Sequence, residues 1–167
     1  MGRLAQTLGV TVKFLQTSKL AEMQEENFIK ILFPKDEDIV YVLRFKRTDE
    51  TTTTPLYVGQ SGRGTRRIGE YVSAQFAAAT DFKVGVAVRT LLTAGCEVSV
   101  NYQSSSNRRA DEAELISRYT KEGHRLLNAE PSYNYRSANK ATEQARIEQF
   151  VATLLINDSA KIFPGAA

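Results

Sequence analysis

The sequence predicts an α+β domain: a small three-stranded antiparallel sheet flanked by helices, with extensions at both ends. Three observations predict it. Two short runs rich in β-branched and aromatic residues, 39–45 and 56–59, flank a polar stretch that ends in Pro55, the pattern of a hairpin with a long loop. A third run, Glu97-Val98-Ser99-Val100-Asn101-Tyr102, alternates apolar and polar residues as a half-buried strand does. Downstream, 109–121 and 140–156 repeat their apolar residues at helical spacing.

Each element has its own signal. Val10, Val12 and Phe14 alternate within residues 9–16, which predicts a strand; Ala5, Gly9 and Leu15 have the spacing of a helix-turn-helix, the rival reading. Residues 18–33 predict a helix lined by Leu20, Met23, Phe28 and Ile31, broken by Pro34 and the charged run 35–38. The hairpin strands follow, joined by the threonine-rich 47–55. Gln60 to Gly64 is a turn, and Thr65 can cap a helix on which Arg67 and Tyr71, four apart, share a face. Residues 84–92 fit a helix or a strand. After the third strand and a loop at 104–107, the next helix runs from about Arg109 to Lys121, with Ala113, Ile116 and Tyr119 on one side, and Gly123 ends it. Residues 123–138 are irregular around Pro131. The last helix carries Ile147, Phe150, Val151, Leu154 and Leu155 as a core stripe, and the tail from Phe163 is read as loose. The chain thus divides into an extension at 1–37, a core at 38–135, and a helix with tail at 136–167.

Composition narrows the function classes. With 42% hydrophobic and 25% charged residues, the 167-residue chain can bury one core. No apolar run approaches the roughly 18 residues of a membrane span, and the N-terminus lacks a secretory apolar core. Cys96 is the single cysteine, which excludes an internal disulfide and a cysteine-rich zinc site. These absences favour the cytoplasm. The net charge is +3. Acids crowd the first 38 residues, whereas Arg63, Arg66, Arg67, Arg108, Arg109, Arg118 and Arg125 populate the middle. Clustered guanidinium groups suit phosphate, because one planar fork donates two parallel hydrogen bonds to one anion.

The candidate chemistry lies in one ordered set. Tyr41 and Tyr57 each stand between apolar residues in the two hairpin strands. A glycine-containing turn follows Tyr57, and Arg67 lies ten residues beyond it on a helix. A later helix opens Asp111-Glu112-Ala113-Glu114-Leu115-Ile116, and Leu126-Leu127-Asn128 comes after it.

This order resembles the GIY-YIG nuclease family. Its first signature corresponds to Ile39-Val40-Tyr41 and its second to Tyr57-Val58-Gly59. The family's arginine and the aromatic or histidine one turn later match Arg67 and Tyr71. Its metal-binding glutamate, four residues before an isoleucine, matches Glu112, with Glu114 as the alternative. Its downstream asparagine matches Asn128 or Asn134. The resemblance covers residues 38–135 and departs from the family where Ile39 stands for glycine, in the longer loop between the tyrosines, and in the distance from Glu112 to Asn128.

The resemblance implies a metal-dependent endonuclease acting on double-stranded DNA, with Tyr41, Tyr57, Arg67, Tyr71, Glu112 and Asn128 in the catalytic site. Glu112 would hold one Mg²⁺ or Mn²⁺ ion. Arg67 would grip the phosphate, and Tyr41 would take a proton from the attacking water. Arg63, Arg66, Arg108, Arg109, Lys121 and His124 are the candidate DNA contacts. A restriction-like or phage-associated role fits a compact chain; a structure-specific repair nuclease and a nucleic-acid-binding module without cleavage are the alternatives. The oligomeric state is open, with a homodimer as one option. Arg67→Ala is expected to lower turnover at least tenfold with the fold intact, since a lost charge-stabilising donor costs about 10²–10³ in rate. An unchanged single-turnover rate would make Arg67 ordinary surface.

Overall fold

A computed structural model describes residues 10–14, 38–62, 79–131 and 140–161. The expectations for a helix at 18–33, for the helix after Thr65, and for the tail from Phe163 lie outside the described residues. In chain order the described elements are β1 (Val10–Phe14), β2 (Ile39–Lys46), β3 (Thr54–Ser61), α1 (Ala79–Thr93), β4 (Glu97–Ser104), α2 (Arg108–Lys121), a 3₁₀ turn (Leu127–Ala129) and α3 (Lys140–Lys161). The architecture is α+β, and no described helix is long and apolar enough to cross a membrane.

The sheet is antiparallel with strand order β1-β4-β2-β3. It has four strands where three were expected. The strand reading of residues 9–16 is the one observed, and β1 pairs with β4 from Val10↔Tyr102 to Phe14↔Val98. The three expected strands form the set β4-β2-β3, and the segment before residue 38 contributes to the sheet itself.

Alternation in β2 divides the protein into two packed layers. Ile39, Tyr41, Leu43 and Phe45 join Val98 and Val100 of β4 in the larger core, beneath α1 and α3. Val40 and Val42 point the other way, with Val58, and meet Tyr119 of α2 together with Leu126; Leu115 and Ile116 flank them. A bulge breaks the alternation in β3. Leu43 pairs with Tyr57 and Arg44 with Pro55, which leaves Leu56 as the extra residue. Leu56 and Tyr57 consequently both enter the larger core, although neighbours in a regular strand face opposite sides.

Residues 84–92, ambiguous in sequence, belong to α1. Val84, Val86, Ala87, Val88, Leu91 and Leu92 are all buried, so this helix is apolar around much of its circumference and shows no single stripe. Glycines stop α1 and α2 in the same way. Gly95 and Gly123 have φ of 81° and 87°. In each case the glycine N–H and the following N–H return to carbonyls of the last turn: Gly95 to Leu92 and Cys96 to Leu91, Gly123 to Thr120 and His124 to Tyr119. The other end of α2 is capped by Asn107, whose side chain accepts from the Ala110 N–H.

Within the described sheet β3 is an edge strand, and its edge is managed chemically. Pro55 removes one donor there. Farther along, the Val58 N–H donates to Asn128 Oδ1 at 2.8 Å, and Asn128 Nδ2 donates to the Val58 carbonyl at 2.7 Å. One side-chain amide therefore imitates a neighbouring strand and satisfies both groups that Val58 turns away from β2. Asn128→Ala is expected to lower unfolding stability by about 1–3 kcal/mol, because a strand N–H and C=O are deprived of their partners together. An unchanged urea midpoint would show that water replaces the amide at no cost.

Candidate active site

The hairpin brings the two signature tyrosines together. Tyr41 sits opposite Gly59, and Tyr57 sits opposite Leu43, on the same sheet face. Their ring centroids are 6.4 Å apart with planes inclined at 49°. Both are buried, Tyr41 at 1% exposure and Tyr57 at 8%. The Tyr41 ring leaves β2 and crosses Gly59 of β3: a Cβ at position 59 would overlap Cζ and Oη of the phenol. Glycine is therefore required at position 59 by close approach, and the crossing carries the Tyr41 hydroxyl over the outer strand of the hairpin.

Glu112 belongs to the layer on the other side. Helix α2 packs on β3 and β2 through Leu115, Ile116 and Tyr119. Glu112 precedes Leu115, Ile116 and Tyr119 by three, four and seven residues, which puts it on the same helix face. Interactions at both ends fix the alignment of α2 along the hairpin. Arg108 pairs with Asp38 at 3.7 Å beside Gly62, and Tyr119 meets Arg44 near the opposite end of β2. Glu112 lies one turn in from Arg108, on the face of α2 that meets the sheet. The described residues thus unite Tyr41 and Tyr57 on one face of the sheet, whereas Glu112 belongs to the helix packed on the opposite face.

The remaining candidates divide clearly. Glu114 is exposed, which favours Glu112 as the carboxylate turned toward the sheet. Asn128 fastens the backbone of Val58, between Tyr57 and Gly59, so its observed role is positioning. Arg67 and Tyr71, with Arg63, Arg66 and the rival Asn134, lie outside the described residues. Arg108 is tied to Asp38, whereas Arg109 is exposed beside it. Lys121 is exposed in the last turn of α2, and His124 stands edge-on to Tyr119 with Glu122 at 3.8 Å. The arginine pair and the Lys121–His124 pair lie toward opposite ends of α2, about 20 Å apart along the helix axis.

Sequence reading missed what holds Asn128 in place. Lys83 of α1, 4% exposed, donates from Nζ to the Glu130 carbonyl at 2.8 Å. Burial is the first cause lowering the affinity of its amine for a proton; Arg146 adds to this and Glu130 opposes it. Arg146 of α3 donates to Glu130 Oε2 at 2.6 Å and to the Pro131 carbonyl at 2.8 Å. Helices α1 and α3 thereby clamp the segment that presents Asn128 to β3. The only sequence sign was a lysine among apolar residues, at a point where the element type itself was ambiguous.

Glu112 can hold a cation. It is half-buried, and burial raises its carboxyl above the ordinary value. Among the described residues its side chain makes no hydrogen bond or ion pair. A carboxylate that has given up water and gained no counter-charge fits a hard divalent ion, which would keep most of its water ligands. No group of three or more His, Cys, Asp or Glu among the described residues forms a metal cluster. No protein-family model matches the chain, no curated protein matches it, and no solved structure matches it.

The raised carboxyl has a stability consequence. The folded state holds the Glu112 proton more tightly than the unfolded state does. Stability contributed by this group is therefore greatest at low pH, falls as pH rises from the ordinary glutamate value through the raised one, and stays reduced above it. Glu112→Gln carries no charge and should melt higher than wild type at neutral pH. The difference should vanish below about pH 4. An equal or lower melting temperature at neutral pH would show that the carboxylate is well compensated.

Proposed function

We propose that the chain is a metal-dependent DNA endonuclease of the GIY-YIG type that hydrolyses phosphodiester bonds at the outer edge of β3. The carrying observation is the Tyr41 ring crossing Gly59 beside Tyr57, which gives the second signature a physical reason for its glycine. The half-buried, uncompensated Glu112 supports the same reading.

Phosphodiester hydrolysis needs a water aligned with the scissile bond, relief of the charge growing on phosphate, and help for the departing oxygen. Tyr41 would accept a proton from the attacking water through its hydroxyl. A phenol ordinarily titrates near 10, so this role requires cations close by to favour the phenolate. Tyr57 would orient the water or a phosphate oxygen, and Asn128 would hold the strand between them. Arg67 would donate to the phosphate. Glu112 would hold Mg²⁺ or Mn²⁺, which when bound supplies Lewis-acid stabilisation of the leaving oxygen. Products with 5′-phosphate and 3′-hydroxyl ends follow from this reading.

A second reading is favoured by one observation, the 1% exposure of Tyr41. A ring so enclosed also suits a scaffold in which the tyrosine pair is packing and the protein binds nucleic acid without cutting it.

Incubation with supercoiled plasmid separates the two. The nuclease reading expects nicking in Mg²⁺ that EDTA abolishes, and a Glu112→Gln variant that binds DNA but does not cut. DNA binding by wild type without any nicking in Mg²⁺ or Mn²⁺ favours the scaffold. Full cutting by Glu112→Gln removes the glutamate from the mechanism.

A further inference from the structure

The end of α2 remote from Arg108 carries an arrangement that the site above does not use. Arg44, on the α2 face of β2, donates from Nη1 to Tyr119 Oη at 3.0 Å. Arg118 donates from Nη2 to the same oxygen at 3.3 Å. Both guanidinium groups also lie against the Tyr119 ring, 5.6 and 5.0 Å from its centroid. Two like charges thus converge on one neutral acceptor. Such proximity is unfavourable unless an anion offsets it.

The surrounding groups neutralise the pair only in part. Arg44 is held by neutral oxygens: Nε donates to Thr53 Oγ1 at 2.7 Å and Nη2 to the Thr53 carbonyl at 3.2 Å. It has no carboxylate partner among the described residues. Glu122 is the one acid at hand among them, 4.0 Å from Arg118 and 3.8 Å from His124. Three hydrogen bonds fix the Arg44 plane while leaving further N–H donors, and the Arg118 side chain is 56% exposed. A guanidinium held in place before binding gives up little freedom when a ligand arrives, and its fork matches the oxygens of phosphate. The hydroxyls of the exposed Thr51–Thr53 run beside it are neutral phosphate donors of the usual kind.

Resting on the nuclease reading, we infer that Arg44 and Arg118, set by Tyr119, form a second binding point for a backbone phosphate of the DNA, away from the bond that is cut. Glu112 and Arg118 are six residues apart on α2, about 9 Å along its axis. With the duplex axis laid parallel to α2, where successive phosphates on one strand advance about 3.4 Å, this spacing corresponds to roughly three nucleotides. The contact anchors the duplex along α2 and carries no base information.

Fluorescence anisotropy with a labelled duplex of mixed sequence, in EDTA and over a salt series, tests this. Arg118→Gln is the first variant, because its exposed side chain can change without disturbing the core, which a matching melting curve verifies. Arg44→Gln with Arg118→Gln is the second, and Ser117→Ala, exposed on the same helix, is the control. The inference expects binding about threefold to tenfold weaker for Arg118→Gln and at least tenfold weaker for the double variant. The slope of log affinity against log salt should become shallower by about one for each phosphate that the variant no longer neutralises. If wild type binds and both variants match it in affinity and slope, this inference fails and the nuclease reading stands. If wild type does not bind the duplex at all, both fail.

Discussion

The ring of Tyr41 can lie across the hairpin only because Gly59 has no side chain. Tyr41 projects from an inner strand into a packed core and has no free direction in which to swing. The crossing turns a buried aromatic residue into a group that reaches the outer strand. Tyr57, two residues before Gly59, inclines its ring beside it, and the bulge at Leu56 is what lets Tyr57 and Leu56 share that face. One glycine thus makes room for the phenol where the core meets the outer strand.

The edge beside that glycine is held from outside. Asn128 occupies both free backbone groups of Val58, and the segment carrying Asn128 is clamped by Lys83 from α1 and Arg146 from α3. The larger core therefore supports the edge through polar interactions as well as packing. Helix α2 supports it from the opposite face through Leu115, Ile116 and Tyr119. Glu112, on that apolar side of α2, sacrifices hydration without a compensating partner among the described residues.

Much of this arrangement was legible in the residues. The hairpin strands declared themselves through Val40-Tyr41-Val42 and Leu56-Tyr57-Val58, and Gly123 marked the end of α2 through its need for positive φ. The helix at 84–92 was ambiguous because its valines are buried on several sides, so neither a period of two nor one of 3.6 stood out. The strand at Val10–Phe14 was readable, but its partner β4 lies far along the sequence, so its place in the sheet was not. The bulge at Leu56 and the amide of Asn128 on Val58 depend on which strand ends at the edge, a property of topology. Nothing in the sequence around Arg44 marks it out; the packing of α2 brings Tyr119, and with it Arg118, to its side.

Equilibrium urea unfolding of Gly59→Ala tests the central interaction most directly, because the sign of the change is diagnostic. Alanine in open space within a strand gains about 0.5–1 kcal/mol over glycine, through lower chain entropy in the unfolded state. Here the added methyl meets the Tyr41 phenol in an enclosed core, and the account predicts a destabilisation of about 2 kcal/mol or more. A variant as stable as wild type, or more stable, would mean that the Tyr41 ring does not cross position 59.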